Sequence, residues 1–159
     1  FLESINWTSL IQCASEKRNG LDCRLLPEIG LGYNHVVRVV EFADHTQWVA
    51  RLRMPPLTEK DDEAANAWEI MESECRTMCL VQRESKIPIP HVYLFEANPH
   101  SSVGAQFMLM DCLRGNVGID MSINLPPEHK LDVYAKMAEI QVFNRTATHI
   151  TVLMYYCLD

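Results

Sequence analysis

The sequence predicts an α+β fold: an antiparallel sheet of about five strands with one long packed helix, a short N-terminal helix and a C-terminal helix. Three observations predict it. Strand-like runs, that over 35–42 rich in β-branched residues, alternate with polar turns over 23–54, and two further apolar runs flank a polar turn over 92–113. Between these groups, residues 59–84 place apolar side chains at helical spacings of three and four. Prolines and glycines fall where one pattern gives way to the next.

The first element is a short amphipathic helix over 2–18, with Trp7, Leu10, Ile11 and Ala14 on one side. Asn19-Gly20 ends it, since both residues tolerate the left-handed conformation. Strands follow at 23–29, 35–42 and 47–54, the last two joined by the turn Ala43-Asp44-His45-Thr46. Pro55-Pro56 closes the third strand by removing two ladder donors.

Gly30 and Gly32 stand between the first two strands. Glycine there can take positive φ and has no side chain to block a ligand, so its backbone N–H groups can approach phosphate oxygens. Arg51 then sets a fixed positive charge inside an otherwise apolar strand.

The long helix over 59–84 carries Ala64, Trp68, Met71, Cys75, Met78 and Cys79 as its apolar stripe. Asp61, Asp62 and Glu63 in its first turns suit the positive end of the helix dipole. Glu74 is out of place. It projects with Ala67, Ile70, Met78 and Val81, where an ionised carboxylate is costly unless paired. Arg51 is its nominated partner; the alternative is a border position facing solvent.

Lys86-Ile-Pro-Ile-Pro-His91 reads as extended, because each proline pushes its predecessor out of the helical region. Strands follow at 92–97 and 105–113, and a helix begins at Pro126-Pro127 and runs over 127–142. From Val142 onward the composition turns β-like, and the run Ile150–Leu158 is uncharged and free of proline. The segments therefore divide as 1–22 helical, 23–114 sheet and long helix, 115–141 linker and helix, and 142–159 an atypical tail.

Composition narrows the partners. At 159 residues the chain fits one domain, and 48% hydrophobic with 22% charged residues is ordinary for a globular protein. Fourteen Lys plus Arg against 21 Asp plus Glu give −7, which disfavours nucleic acid and anionic membrane as partners. No apolar run approaches the roughly 20 residues that span a bilayer, and no signal peptide opens the chain. The six cysteines show no C-x-x-C, so reduced thiols and a cytoplasmic location are the default expectation. Cys75 and Cys79 share a helical face; they read as two small buried side chains rather than half a metal site.

Five motifs occur in order: Gly32-Tyr-Asn34, Trp48-Val-Ala-Arg51, Ser73-Glu74-Cys-Arg-Thr-Met78, Ile87-Pro-Ile-Pro90 and Asp111-Cys-Leu-Arg-Gly115. Over roughly residues 20–141 this series resembles the small lobe of the aminoglycoside phosphotransferase and choline-kinase-like family, in its fungal branch. The resemblance implies a protein-kinase-like small lobe that binds ATP with Mg2+. It implies that Gly30, Gly32 and Asn34 cover nucleotide phosphates. It also implies that Arg51, paired to Glu74, contacts phosphate where many kinase-like proteins use lysine. Met110, Asp111 and Leu113 would line the adenine slot, the Asp111 carbonyl and Leu113 amide reading the base through the backbone.

The large lobe of that family supplies the catalytic aspartate and the metal-binding asparagine and aspartate, and no H-x-D-x-x-x-x-N loop occurs in this sequence. No catalytic or metal-binding residue is therefore assigned. The expectation is a truncated phosphotransferase-like protein whose nucleotide-binding lobe is inactive alone. A small lobe without its large lobe exposes apolar surface, so self-association or a partner chain is also expected. Two alternatives remain open: a non-catalytic binding or regulatory module, and a repurposed enzyme using groups such as Glu74 and His91.

Overall fold

The computed structural model describes residues 1–55, 67–114 and 125–156, with the backbone alone at 67–68 and 143–156. Asp61, Asp62, Glu63, Ala64, Gly115 and the linker to 124 lie outside the described residues. The chain divides into two units, Phe1–Gln82 with Ile89–Leu113, and Arg83–Pro88 with Arg114–Asp159.

The first unit is built on α1 (Trp7–Lys17), β1 (Cys23–Leu31), β2 (His35–Phe42), β3 (Gln47–Arg53), α2 (Ala67–Glu84), β4 (Val92–Glu96) and β5 (Phe107–Asp111). Its strands form one five-stranded sheet, ordered β1-β2-β3-β5-β4, with every neighbouring pair antiparallel. The α+β architecture expected from the sequence is present.

Strand alternation sorts the side chains. On β3, Trp48, Ala50 and Leu52 are buried while Gln47, Val49, Arg51 and Arg53 are only partly covered. The buried set meets Leu10 and Ala14 of α1, together with Val40, Phe42, Phe107 and Leu109, in the main core. Each such large apolar side chain contributes about 2 kcal/mol by leaving water. The segment before β5 joins this core through Val103 and Ala105, and Asn6 N donates to Val103 O at 2.9 Å.

The helix expected over 2–18 is two pieces. A 3-10 turn spans Leu2–Ser4, and α1 starts only at Trp7. Asn6 is the reason: its side-chain oxygen accepts from Ser9 N at 3.1 Å, a cap that requires Asn6 itself to be non-helical. At the other end Asn19 (φ 55) and Gly20 (φ 83) turn left-handed as anticipated. Arg18 then forks onto Asp44 at 3.0 and 2.8 Å and lies 4.6 Å from the Phe42 ring centre, tying α1 to the β2–β3 turn.

On the edge strand β1 the register shifts between Leu25 and Ile29. Pro27 sits in that irregularity, where a missing ladder donor is tolerated. Arg38 on β2 closes the gap, donating to Leu26 O at 2.6 Å with its guanidinium 4.9 Å from the Trp7 ring. β1 also runs on to Leu31, so Gly30 belongs to the strand and the turn narrows to 32–34.

The second unit contains α3 (Pro127–Tyr156). The tail from 142 does not switch to β structure: the helix passes through it to Tyr156. After Pro127 the helix meets neither glycine nor proline, and each β-branched residue costs a helix only a few tenths of a kcal/mol. Propensity alone could not end it. Among the described residues no helix is long and apolar enough to cross a membrane.

Candidate functional site

Arg51 and Arg53 lie on the sheet face opposite the main core, and α2 covers that face with Met71 and Val81 buried. The covered stripe of α2 thus runs through buried Met71 and Val81 and half-buried Glu74, Cys75 and Met78, while Ile70 and Cys79 are exposed. The expected stripe is rotated, and Glu74 sits within it. Its carboxylate accepts a hydrogen bond from Arg51 Nη1 across the face, with side-chain exposures of 23% for Arg51 and 35% for Glu74. The nominated partnership is formed, in a partly screened setting.

The other terminal nitrogen is also engaged. Arg51 Nη2 lies 3.2 Å from His35 Nδ1 at the start of β2. Guanidinium nitrogens only donate, so Nδ1 must accept and the ring is the neutral Nε2–H tautomer. Burial first, and then the Arg51 charge, lower the pKa of His35 to about 4 against the opposing pull of Glu74. Its Nε2 is buried with no hydrogen-bond partner among the described residues. Arg53 stands directly across from His35 in the β2–β3 ladder and adds its charge to the same corner.

The glycine turn adjoins this corner. Gly32 N donates to His35 O at 2.8 Å, and Met54 N donates to Asn34 O at 2.9 Å, which anchors the turn to the end of β3. Neither Gly30 nor Gly32 uses the positive φ open to glycine; among the described glycines only Gly20 and Gly104 do. A Cβ on Gly30 would sit 3.5 Å from Val37 Cβ, and one on Gly32 would sit 3.4 Å from His35 O, both ordinary contacts. The backbone does not require glycine at either place. What the two residues provide is main chain free of side-chain cover.

On β5, Met108 is buried directly across from Arg51, and Met110 follows two residues on along the same face. Asp111 belongs to the opposite face. Its carboxylate accepts from His91 N at 2.9 Å and from the Tyr93 hydroxyl at 2.6 Å, and its own N–H donates to His91 O at 3.0 Å. Tyr93 in turn stacks on Trp48 with ring centres 3.9 Å apart. Bonding to the Asp111 carboxylate, and then burial, raise the Tyr93 pKa. Leu113 follows β5 and is exposed. The structure therefore gathers Arg51, Glu74, Met110 and the Gly32–Asn34 turn about one face or its end. It turns the Asp111 side chain away to a structural task.

Two residues of this corner were missed from sequence: His35 and Arg53. The spacing Arg51-x-Arg53 does place both cations on one face of a strand. His35 was legible only through the hairpin register, which sets it opposite Arg53. The cysteines add no chemistry here. Burial and the neighbouring Cys79 raise the pKa of Cys75 to about 11, so it stays a thiol at neutral pH. Among the described residues no three His, Cys, Asp or Glu side chains are grouped to hold a metal.

The chain matches no protein-family model, and no curated protein is similar to it.

Proposed function

We propose that the sheet and α2 form the nucleotide-binding lobe of an ATP-dependent small-molecule phosphotransferase of the aminoglycoside phosphotransferase and choline-kinase-like kind. The observation that carries this reading is the Arg51–Glu74 pair, spanning the third strand and the following helix beside an anchored glycine turn. In kinases a cation on the third strand, paired to a helix glutamate, contacts nucleotide phosphates. Arg51 would take that contact, the bare backbone of Gly30, Gly32 and Asn34 would cover the phosphates, and Met110 would flank the base. The Asp111 carbonyl and Leu113 amide would read the base edge; with the Asp111 carboxylate occupied by Tyr93 and His91, only its main chain serves.

Mg2+ enters only as the ion that accompanies nucleotide phosphates, since the described residues offer no protein cluster for it. The lobe by itself binds and orients. Phosphoryl transfer further needs a base and metal ligands, and no residue of this chain is assigned to them. A thermal melt titrated with ATP, with and without Mg2+, tests the reading. Ligand bound only by the native state must raise the midpoint, and an unmoved midpoint at millimolar ATP rejects it.

A second reading, a module that meets another chain, is favoured by exposed apolar residues. Leu131, Tyr134 and Met137 recur every three residues along α3, and all are exposed. Such a stripe supports self-association or a partner chain. The repurposed-enzyme alternative is weakened, because Glu74 is ion-paired to Arg51 and His91 Nδ1 lies 3.0 Å from Gln82 Oε1.

A further inference from the structure

Arginine and lysine hold phosphate differently. An ammonium is a point charge that one carboxylate can steady, whereas a guanidinium is a planar fork whose usefulness depends on the angle of its plane. Glu74 engages Nη1 alone, and a single acceptor leaves that plane free to swing. A second acceptor on Nη2 removes the freedom, and His35 Nδ1 is placed to be that acceptor at 3.2 Å.

We propose that His35 is a positioning residue that locks the plane of the Arg51 guanidinium, so that the N–H groups not taken by Glu74 and His35 face a bound oxyanion in a fixed direction. The proposal rests on the nucleotide-lobe reading for its ligand, but its geometry stands apart from that reading. Accepting at Nδ1 forces the ring hydrogen onto Nε2, and Nε2 is buried with no partner among the described residues. The fold leaves one donor unsatisfied and gains a fixed cation. The charged groups facing His35 among the described residues are Arg51 and Arg53 from β3 and Glu74 from α2. Two cations against one anion favour the neutral ring, the only form able to accept.

The coupling also makes a prediction about paired substitution. If His35 serves the fork, it is needed only while residue 51 is arginine. In an Arg51→Lys background, His35→Leu has little further effect on nucleotide affinity, whereas in the natural chain it weakens ADP binding by about tenfold. His35→Asn, whose Oδ1 falls where Nδ1 was, restores the affinity. Equal losses in both backgrounds overturn the proposal.

Nitrogen NMR on the full chain separates this inference from the functional reading. In the natural protein the two Arg51 Nη signals are resolved and His35 Nδ1 is unprotonated. His35→Leu averages the Arg51 pair into one signal, and His35→Asn resolves it again. Acid titration of the unsubstituted chain supplies the same test without a variant: the splitting collapses as His35 protonates near pH 4. Splitting that survives in the imidazolium form or in His35→Leu sinks the proposal. Resolved signals in a protein that binds no ADP support the positioning role and reject the nucleotide reading.

Discussion

Tyr93 donates its hydroxyl hydrogen to Asp111 at 2.6 Å, on the sheet face opposite the Arg51–Glu74 pair. The carboxylate end of β5 is thereby committed to the core side, through a tyrosine stacked on Trp48. Tyr93→Phe is expected to lower stability by about 1.5–3 kcal/mol, the range for losing a bond to a charged acceptor. ADP affinity should stay unchanged. Urea denaturation and calorimetric titration check the two halves. The raised Tyr93 pKa means the folded state favours the protonated hydroxyl, so this contribution is present below pH 10 and is lost as pH rises through the folded pKa.

Glu74→Ala should separate binding from folding in the opposite sense. With exposures of 23% and 35%, the Arg51–Glu74 pair is screened and adds about 1 kcal/mol or less to stability. Nucleotide affinity is expected to fall by at least about tenfold, because the freed guanidinium no longer faces one direction. Isothermal titration with ADP is the measurement.

Acid should act through His35 before it acts through Asp44. The folded-state pKa of His35 is lowered to about 4 from an ordinary 6.5, so the unfolded chain binds the extra proton first. Its contribution is complete above pH 6.5 and drains away as pH falls toward 4. The Arg18 fork holds the Asp44 pKa well below the usual carboxylate range, so that contribution is lost only at still lower pH. Urea midpoints measured between pH 7 and 4 should slope downward in the natural chain and flatten in His35→Asn.

The glycines divide into two kinds. Gly104 has φ 81, and a Cβ there would lie 3.2 Å from Ser4 O. Gly104→Ala should therefore cost more than about 1 kcal/mol. Gly30→Ala and Gly32→Ala meet only ordinary contacts and should fold normally, with stability altered by about 1 kcal/mol at most. If the turn covers phosphates, both should nonetheless weaken ADP binding. Thermal melts with and without ADP distinguish these outcomes.

The apolar stripe on α3 predicts association. Light scattering at tens of micromolar should give a mass above that of the monomer, and the double variant Leu131→Glu, Tyr134→Lys should return it to monomer. Both side chains are exposed, so the substitutions leave the unit's interior intact.

Glu74 was legible because it is a charge placed where helical periodicity calls for an apolar residue, and Arg51 because it is a cation set among apolar strand neighbours. Such a residue must find a partner, and few were in reach. His35 carried no such mark, since a histidine beginning a strand is ordinary until register shows what it faces. Asn6 was passed over for a similar reason: its signal was a capping oxygen, not a break in periodicity. The far end of α3 misled because β-branched composition describes a preference of tenths of a kcal/mol, which a helix lacking glycine and proline overrides. The idle glycines show the converse. A residue type that permits an unusual backbone angle does not thereby adopt it.

Ile5, Leu10 and Ala14 are interior residues of the sheet's core, although they precede every strand in the chain. The opening helix is thus a plug, seated on Trp48, Ala50 and Leu52 and latched by Arg18. A protein trimmed to begin at Cys23 would present that greasy floor to water. It should clump on dilution from denaturant, and a synthetic peptide covering residues 5–18 should recover it as a soluble noncovalent complex.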